Sequence, residues 1–508
     1  MTRASTQILT GYFSQFWSVA MSIGFIPSFI GFLGIKLYGV IGVFIAIQAV
    51  FAIFDTGIAN ALTREVARFR YLGDWLFVCK TIRTGELVGV SVSALLCLVS
   101  LPFFVWLLPN FSAATGLSTG DVWQIYVLGV FLVLCKSLEN IYRQSLAGLQ
   151  KIATINTVSV FSSTFKGLGA YLALKYISPT LQSFFLAQIL ALLFSAISFF
   201  LILKCTFVKV GPKIQIRPSL SLLRAMTRFS ISITAIMGLT TVLLQADRLV
   251  LPFSLSLEDF GYYSFAATLA GGLFYLISPI TSTVFPRLCA LYEAKDSVAS
   301  EKLFGSTTQL ITIIIVPIVL LLSFQSKSLI ILWSSSQQLA NNVAPLFSIL
   351  LLGNLFCCLS YLPSQLQFSQ GITKLWLRIL IIEALIYIPL LWIIAPLAGA
   401  YGVSIIWLCV NIVIAFIAVP WSLTRINRIN VARWFFAEML SPLTASVFTM
   451  VIAFNLFDFG GFFGASNLIN RLLYSIFVYS LGCLSGLAVS ASLRSIVASR
   501  LLALKRLF

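Results

Sequence analysis

The chain has 508 residues, of which 59% are hydrophobic and 9% charged, and its mean hydropathy is +1.02. That balance excludes a soluble globular domain and points to a polytopic membrane protein. The net charge of +18 is not read as a nucleic-acid footprint, because the basic excess sits in loops expected on the cytoplasmic side, and the absence of histidine removes the commonest general base and metal ligand, which disfavours an enzyme.

Fourteen spans are predicted, near 8–33, 37–62, 85–108, 122–147, 152–175, 180–204, 222–248, 259–286, 304–325, 343–368, 374–395, 397–422, 434–457 and 471–493. The first is long enough to span and remain, so no cleavable signal peptide is needed. The longest loops are expected near 63–84, 205–221 and 326–342, which leaves no room for an extramembranous catalytic domain. The first span carries Gln7, Gly11, Ser14, Ser18 and Ser22 on one face, suited either to close helix packing or to a lumen, with a kink expected at Pro27. In the second span Asp55 is too far from Arg64 for a direct pair; it either caps a neighbour or binds a proton or cation.

The pair of spans from about Val122 to Lys175 carries the most unusual residues. At about 100° per residue, Lys136, Glu139, Asn140 and Arg143 share one helix face, and Asn156, Ser159, Ser163 and Lys166 form a matching polar stripe on the next helix. An ionisable group inside a span costs roughly 2.5–3.5 kcal/mol on insertion scales and usually faces a bundle interior or a wet cavity. Pairing of Glu139 with Arg143 at i and i+4 would neutralise two charges and leave Lys136 and Lys166 without carboxylates. The pattern therefore predicts a cationic lumen.

Further along, Asp247 and Arg248 stand at the end of a span, where an interfacial charge pair is the plain expectation. Glu383 stands mid-span before Pro389, either as a packed, protonated carboxyl or as a proton-coupling group. The nine cysteines are scattered through apolar segments, which argues for buried thiols rather than a disulfide framework.

Positive charge alternates by side. One set of loops holds Arg64, Arg68, Arg70, Lys80 and Arg83, then Arg143 and Lys151, the stretch from Lys204 to Arg228, Arg287, Lys295 and Lys302, Lys374 and Arg378, Arg425 to Arg433, and the tail. The other side holds only Lys36, Lys175, Lys327 and Arg471, so both termini are predicted in the cytoplasm. An internal repeat appears at an offset of 223, pairing Arg64 with Arg287, Gly148 with Gly371 and Lys151 with Lys374; Tyr38-Gly39 resembles Gly261-Tyr262 one residue out of register. The predicted organisation is all-α: six spans in 1–204, a basic linker at 205–221 read as an extended connector, six parallel spans in 222–424, and two further spans with a basic tail in 425–508.

The stretches FDTGIANALTREVARF, SLAGLQKIATINT, DRLVLPFSLSLEDFGYYS, TVFPRL and LQFSQGITK, in this order over essentially residues 1–493, resemble the polysaccharide-repeat or O-antigen flippases. These belong to the superfamily that also holds the MATE multidrug exporters and the lipid II flippases. The resemblance implies a V-shaped bundle of two six-helix lobes around a central cationic cavity, with two additional C-terminal helices. It implies a bacterial inner-membrane protein whose cargo is an undecaprenyl-pyrophosphate-linked oligosaccharide. Arg64, Lys136, Arg143, Lys166, Arg248 and Arg287 become candidates for the cavity wall, although Arg64 and Arg287 equally suit ordinary cytoplasmic-end arginines. Asp55, Glu139 and Glu383 are candidates for Na⁺ or H⁺ coupling or for structural roles, with membrane potential as the other driving force. No cofactor is implied. The expected partners are membrane lipids and the polymerase and chain-length regulator of the same route, with no nucleic acid. The rival readings are a MATE-like drug antiporter, a polymerase or ligase, and a passive scaffold. The buried lysines argue against the antiporter and leave the scaffold without a reason for them, and the short outer loops argue against the polymerase or ligase.

Overall fold

A helix satisfies its own backbone in hydrocarbon, and apolar runs of this length have little other choice. The computed structural model describes residues 3–210, 220–426, 429–456 and 468–490; it is helical throughout, with no strand among the described residues. Two compact units divide the chain, Met1–Phe265 and Ala266–Phe508.

The first unit contains α1 (Arg3–Gly24), α2 (Ile26–Leu33), α3 (Ile35–Tyr71), α4 (Trp75–Thr115), α5 (Thr119–Gly148), α6 (Ile152–Tyr176), α7 (Leu181–Val210) and α8 (Leu220–Val250). A 3-10 turn at Leu251–Phe253 leads into α9 (Leu257–Gly271), which continues into the second unit. There follow α10 (Phe274–Glu293), α11 (Ser297–Phe324), α12 (Ser326–Ser334), α13 (Gln337–Ser369), α14 (Thr373–Val413), α15 (Val419–Thr424), α16 (Val431–Arg433), α17 (Ser441–Leu456) and α18 (Leu468–Val489). Two π-helical segments, Ile414–Ala418 and Trp434–Leu440, interrupt the run.

Among the described residues, eleven helical stretches are long and apolar enough to cross a membrane. One of them, Thr373–Thr424, covers two predicted spans. Its halves separate at Gly399, whose φ of 58° and ψ of −153° break the helix. The predicted spans over α6 and α18 fall outside the eleven; the polar stripe of α6 lowers its apolarity. Pro27 stands at the start of α2, just after the break that follows Gly24.

Two predicted loops are largely helical. The stretch 63–84 contains the amphipathic ends of α3 and α4, and only Leu72–Asp74 separates them; residues 326–334 of the other form α12. In 63–84 the basic side chains mark the polar ends of helices, not an irregular backbone. The predicted connector also begins later than expected: α7 continues to Val210, because nothing before the Gly211-Pro212 step breaks a helix.

Two pairs of helix ends share a capping geometry. Asp74 accepts from the Phe77 amide at 3.1 Å after the left-handed Gly73, and Asp296 accepts from the Ala299 amide at 2.9 Å after the left-handed Lys295. Likewise the turn after α5 places Gln150 at φ 57°, and the turn after α13 places Gly371 at φ 74°. In both turns the next amide reaches five residues back, Lys151 to Leu146 and Ile372 to Gln367. Gly371 therefore corresponds in backbone geometry to Gln150, two positions from the Gly148 matched by sequence.

In the first unit α5 packs on α3, α4 and α7, and α1 lies along α6. A core of Leu62, Val66, Val78, Ile82, Ile141, Leu146, Phe199 and Leu203 ties α3, α4, α5 and α7 together near their basic ends. The helix α8, which the repeat assigns to the second half of the chain, packs along α3 and forms part of this first unit. In the second unit α17 and α18 pack on each other and on α11. Trp434 donates to Thr308 at 3.0 Å, and Glu438 is buried against Gly305 with Arg433 3.7 Å away.

Candidate functional site

The site is built on one face of α5 and the neighbouring stripe of α6. The Lys136 ammonium meets Glu139 Oε2 at 2.5 Å; the Glu139 side chain is only 7% exposed, whereas that of Lys136 is 44% exposed. Glu139 also lies within electrostatic reach of Lys166 and Arg143, and Lys166 in turn faces Lys136 and Arg143. Three cations thus share one carboxylate. Of the two readings of this face, the Glu139–Arg143 pairing does not form; Glu139 pairs with Lys136, because the lysine one turn earlier reaches the carboxylate while Arg143 is exposed. Neither Arg143 nor the Lys166 ammonium has a hydrogen bond or ion pair among the described residues.

Packing by α1 holds α6 in place. Trp17 Nε1 donates to Thr164 Oγ1 at 2.8 Å, and Asn156 Nδ2 donates to Thr10 Oγ1 at 3.3 Å. Gly167 lets the two helices approach so closely that a Cβ there would lie 2.9 Å from the Met21 carbonyl. Of the small polar stripe on α1, Ser14 is buried and Gly11 faces Asn156, whereas Ser22 is exposed. Lys166 comes one residue before that contact and about 100° around α6 from it.

The other candidates stand apart from this cluster. Arg64 is exposed on α3, next to Thr63, whose hydroxyl donates to Gln144 Oε1 at 3.1 Å and so sets this level of α3 beside the last turns of α5. Asp55 lies on α3, and its side chain is outside the described residues. Arg287 is exposed on α10 in the second unit. Glu383, half-buried on α14, lies near Cys357 of α13 and has no hydrogen bond or ion pair among the described residues.

Arg248 is buried at the end of α8, where its guanidinium donates to Gln245 Oε1 at 3.3 Å. The neighbouring Asp247 carboxylate accepts from the Arg248 amide at 2.7 Å and from the Tyr263 hydroxyl. Arg248 opens on a cavity of about 650 Å³ within the first unit, walled by α3, α4, α5 and the chain after α8. Its lining is aromatic and aliphatic, with Phe44, Phe51, Phe104 and Tyr126 prominent and Gln48 among the few polar residues. The sequence reading missed this cavity and Gln48. The one available signal was the clustering of aromatics at the ends of three predicted spans.

Comparison with known proteins follows from this geometry. A family model described as "Polysaccharide biosynthesis protein" matches residues 32–340. A Shigella flexneri protein provisionally named an O-antigen transporter is 22% identical over 422 residues, which is 83% of this chain and 94% of the relative. Among solved structures, a multidrug resistance MATE family transporter of the MOP superfamily, in an inward-facing conformation, superposes with a TM-score of 0.69 at 14% identity, covering 83% of this chain and 94% of the other. The lipid II flippase MurJ, in an inward closed conformation, gives a TM-score of 0.67 at 15% identity, covering 93% and 97%. At these identities the structural likeness shows the fold, which is that of the MATE and MurJ proteins.

Proposed function

Since the chain belongs to the polysaccharide biosynthesis protein family, we propose that it is a flippase that carries an undecaprenyl-pyrophosphate-linked oligosaccharide repeat unit, of O-antigen or a similar surface polysaccharide, from the cytoplasmic to the periplasmic leaflet of the bacterial inner membrane. The carrying observation is the excess of cations around Glu139: Lys136, Arg143 and Lys166 with one carboxylate between them. A pyrophosphate and its polar sugars cannot cross bare hydrocarbon, so the head needs a hydrated basic path. Lys136 and Lys166 act as point charges on that head, and the exposed Arg143 supplies bidentate hydrogen bonds. Arg64, Arg248 and Arg287 extend the basic path on this reading. The path is open to one side of the membrane at a time.

Two driving forces fit. In a cell negative inside, each negative charge moved outward gains about 2.3 kcal/mol per 100 mV. Coupling to Na⁺ or H⁺ at Asp55, Glu139 or Glu383 is the other. The transported unit is then handed to the polymerase and chain-length regulator.

The direct test is the amount and leaflet of lipid-linked oligosaccharide in a strain lacking this protein. Single units accumulating on the cytoplasmic leaflet support flipping. Single units reaching the outer leaflet unpolymerised would place the chain at polymerisation instead. Unchanged lipid-linked sugars with new drug sensitivity would make it an efflux protein.

A further inference from the structure

The second unit holds a buried carboxylate that the cargo path does not use. Glu438 stands in the π-helical turn Trp434–Leu440 that leads into α17, and its side chain is only 7% exposed. The carboxylate occupies the place that a Cβ at Gly305 of α11 would take, so glycine at that position makes its seat. Among the described residues it accepts no hydrogen bond. Its ion-pair partner Arg433 is 3.7 Å away, beyond hydrogen-bond distance, on a side chain that is 62% exposed. The other charge facing it is Glu301, whose own carboxylate accepts from the Asn430 amide at 3.3 Å.

The contacts on either side of this turn are fixed. Trp434 stacks on Phe304 at 5.7 Å, besides its bond to Thr308. Deeper in, Ser446 Oγ donates to the Gly482 carbonyl at 3.0 Å, and a Cβ at Gly482 would lie 3.0 Å from Pro317 of α11 and from Met450 of α17. Between these anchors lies the π turn, a rare conformation found frequently at functional sites. On α11, Glu301, Gly305 and Gln309 recur at every fourth residue and share one face. Gln309 Oε1, one turn past Gly305, is buried without a hydrogen-bond partner. A seat with no donor, beside an acceptor with nothing to accept, suits a neutral carboxyl that has a proton to give. An ionised carboxylate buried there has no compensating hydrogen bond.

We propose that Glu438 is a proton-operated latch between α11 and the start of α17. Protonated, its carboxyl lies on Gly305 and donates to Gln309. Ionised, it turns outward to the exposed Arg433 and to water, repelled by Glu301, and the π turn loosens while the Gly482 contacts hold. The seated form carries one more proton than the released form, so rising pH releases it. The latch does not depend on which cargo the protein carries.

Hydrogen exchange of the purified full-length protein in lipid nanodiscs tests this, read by mass spectrometry and corrected for the intrinsic pH dependence of exchange. Over about pH 5 to 9, the amides of residues 434–442 are expected to exchange at least tenfold faster at the alkaline end, while those of 446–453 stay unchanged. Glu438→Gln, which remains neutral, is expected to be slow throughout. Gly305→Ala, whose methyl group fills the seat, is expected to be fast throughout. Glu301→Gln is expected to keep the pH step, which assigns the titration to Glu438. Glu438→Gln decides the matter if Gly305→Ala fails to fold. Exchange of 434–442 that does not change with pH in the wild type, or a step that survives in Glu438→Gln, would overturn the latch.

Discussion

Glu139 sets the charge balance of the α5–α6 cluster. Paired with Lys136 at 2.5 Å, it leaves Arg143 and Lys166 as cations in excess. Breaking a fully buried pair costs roughly 3–5 kcal/mol, and the half-exposed Lys136 brings that down. Lys136→Met is therefore expected to destabilise the protein by about 1–3 kcal/mol, read as a lowered unfolding temperature in detergent. The double change Lys136→Met with Glu139→Gln is expected to recover most of that loss, since no carboxylate remains unpaired. Lys166→Glu has a different expected outcome: insertion and abundance stay near wild type, and export of surface polysaccharide is lost, as measured by complementation alongside membrane protein level. Normal export by Lys166→Glu would remove Lys166 from the cargo path. Membership of the cluster was legible in the periodicity of α5 and α6. The identity of the Glu139 partner was not, because i+3 and i+4 neighbours are equally near on a helix and side-chain packing chooses between them.

At the scale of elements, the helix ends carry the clearest lesson. A left-handed residue follows both α5 and α13, Gln150 in one and Gly371 in the other. A side chain in the left-handed region costs on the order of 1 kcal/mol, which glycine avoids. Gln150→Gly is accordingly expected to raise stability by about 0.5–1 kcal/mol, and Gly371→Ala to lower it by about 1 kcal/mol, both measured by thermal unfolding. Close helix approach is a second constraint. A Cβ at Gly148 would lie 2.8 Å from the Thr63 carbonyl and from Val66, so Gly148→Val is expected to push α5 off α3 at a cost of about 1–3 kcal/mol. Helix existence was readable from apolar length alone, but helix ends were not. The predicted loops at 63–84 and 326–342 are largely helical because charged side chains in the first and Ser, Gln and Asn in the second resemble a loop in composition while the backbone stays helical.

For the whole molecule, the distribution of arginine and lysine predicts both termini in the cytoplasm. A C-terminal reporter active only in the cytoplasm should give full signal; the opposite result would invert the assignment of sides. Electrical drive makes a further prediction. Flipping of a doubly charged head in vesicles should accelerate when the donor side is made negative, with about 4.6 kcal/mol available per 100 mV if the charge moves uncompensated. Insensitivity to imposed potential would leave ion coupling as the driving force. The sequence by itself determined the membrane class, the helical fold and the polar faces of α5 and α6, because composition and helical periodicity are local properties. Only the tertiary structure decided that Lys136 rather than Arg143 meets Glu139, that Gly11 of the α1 stripe faces Asn156 of α6, that α8 lies along α3, and that Arg248 opens on an apolar cavity. Each of these depends on which helices touch and at what level, and residues far apart in sequence acquire that relation only when the helices pack.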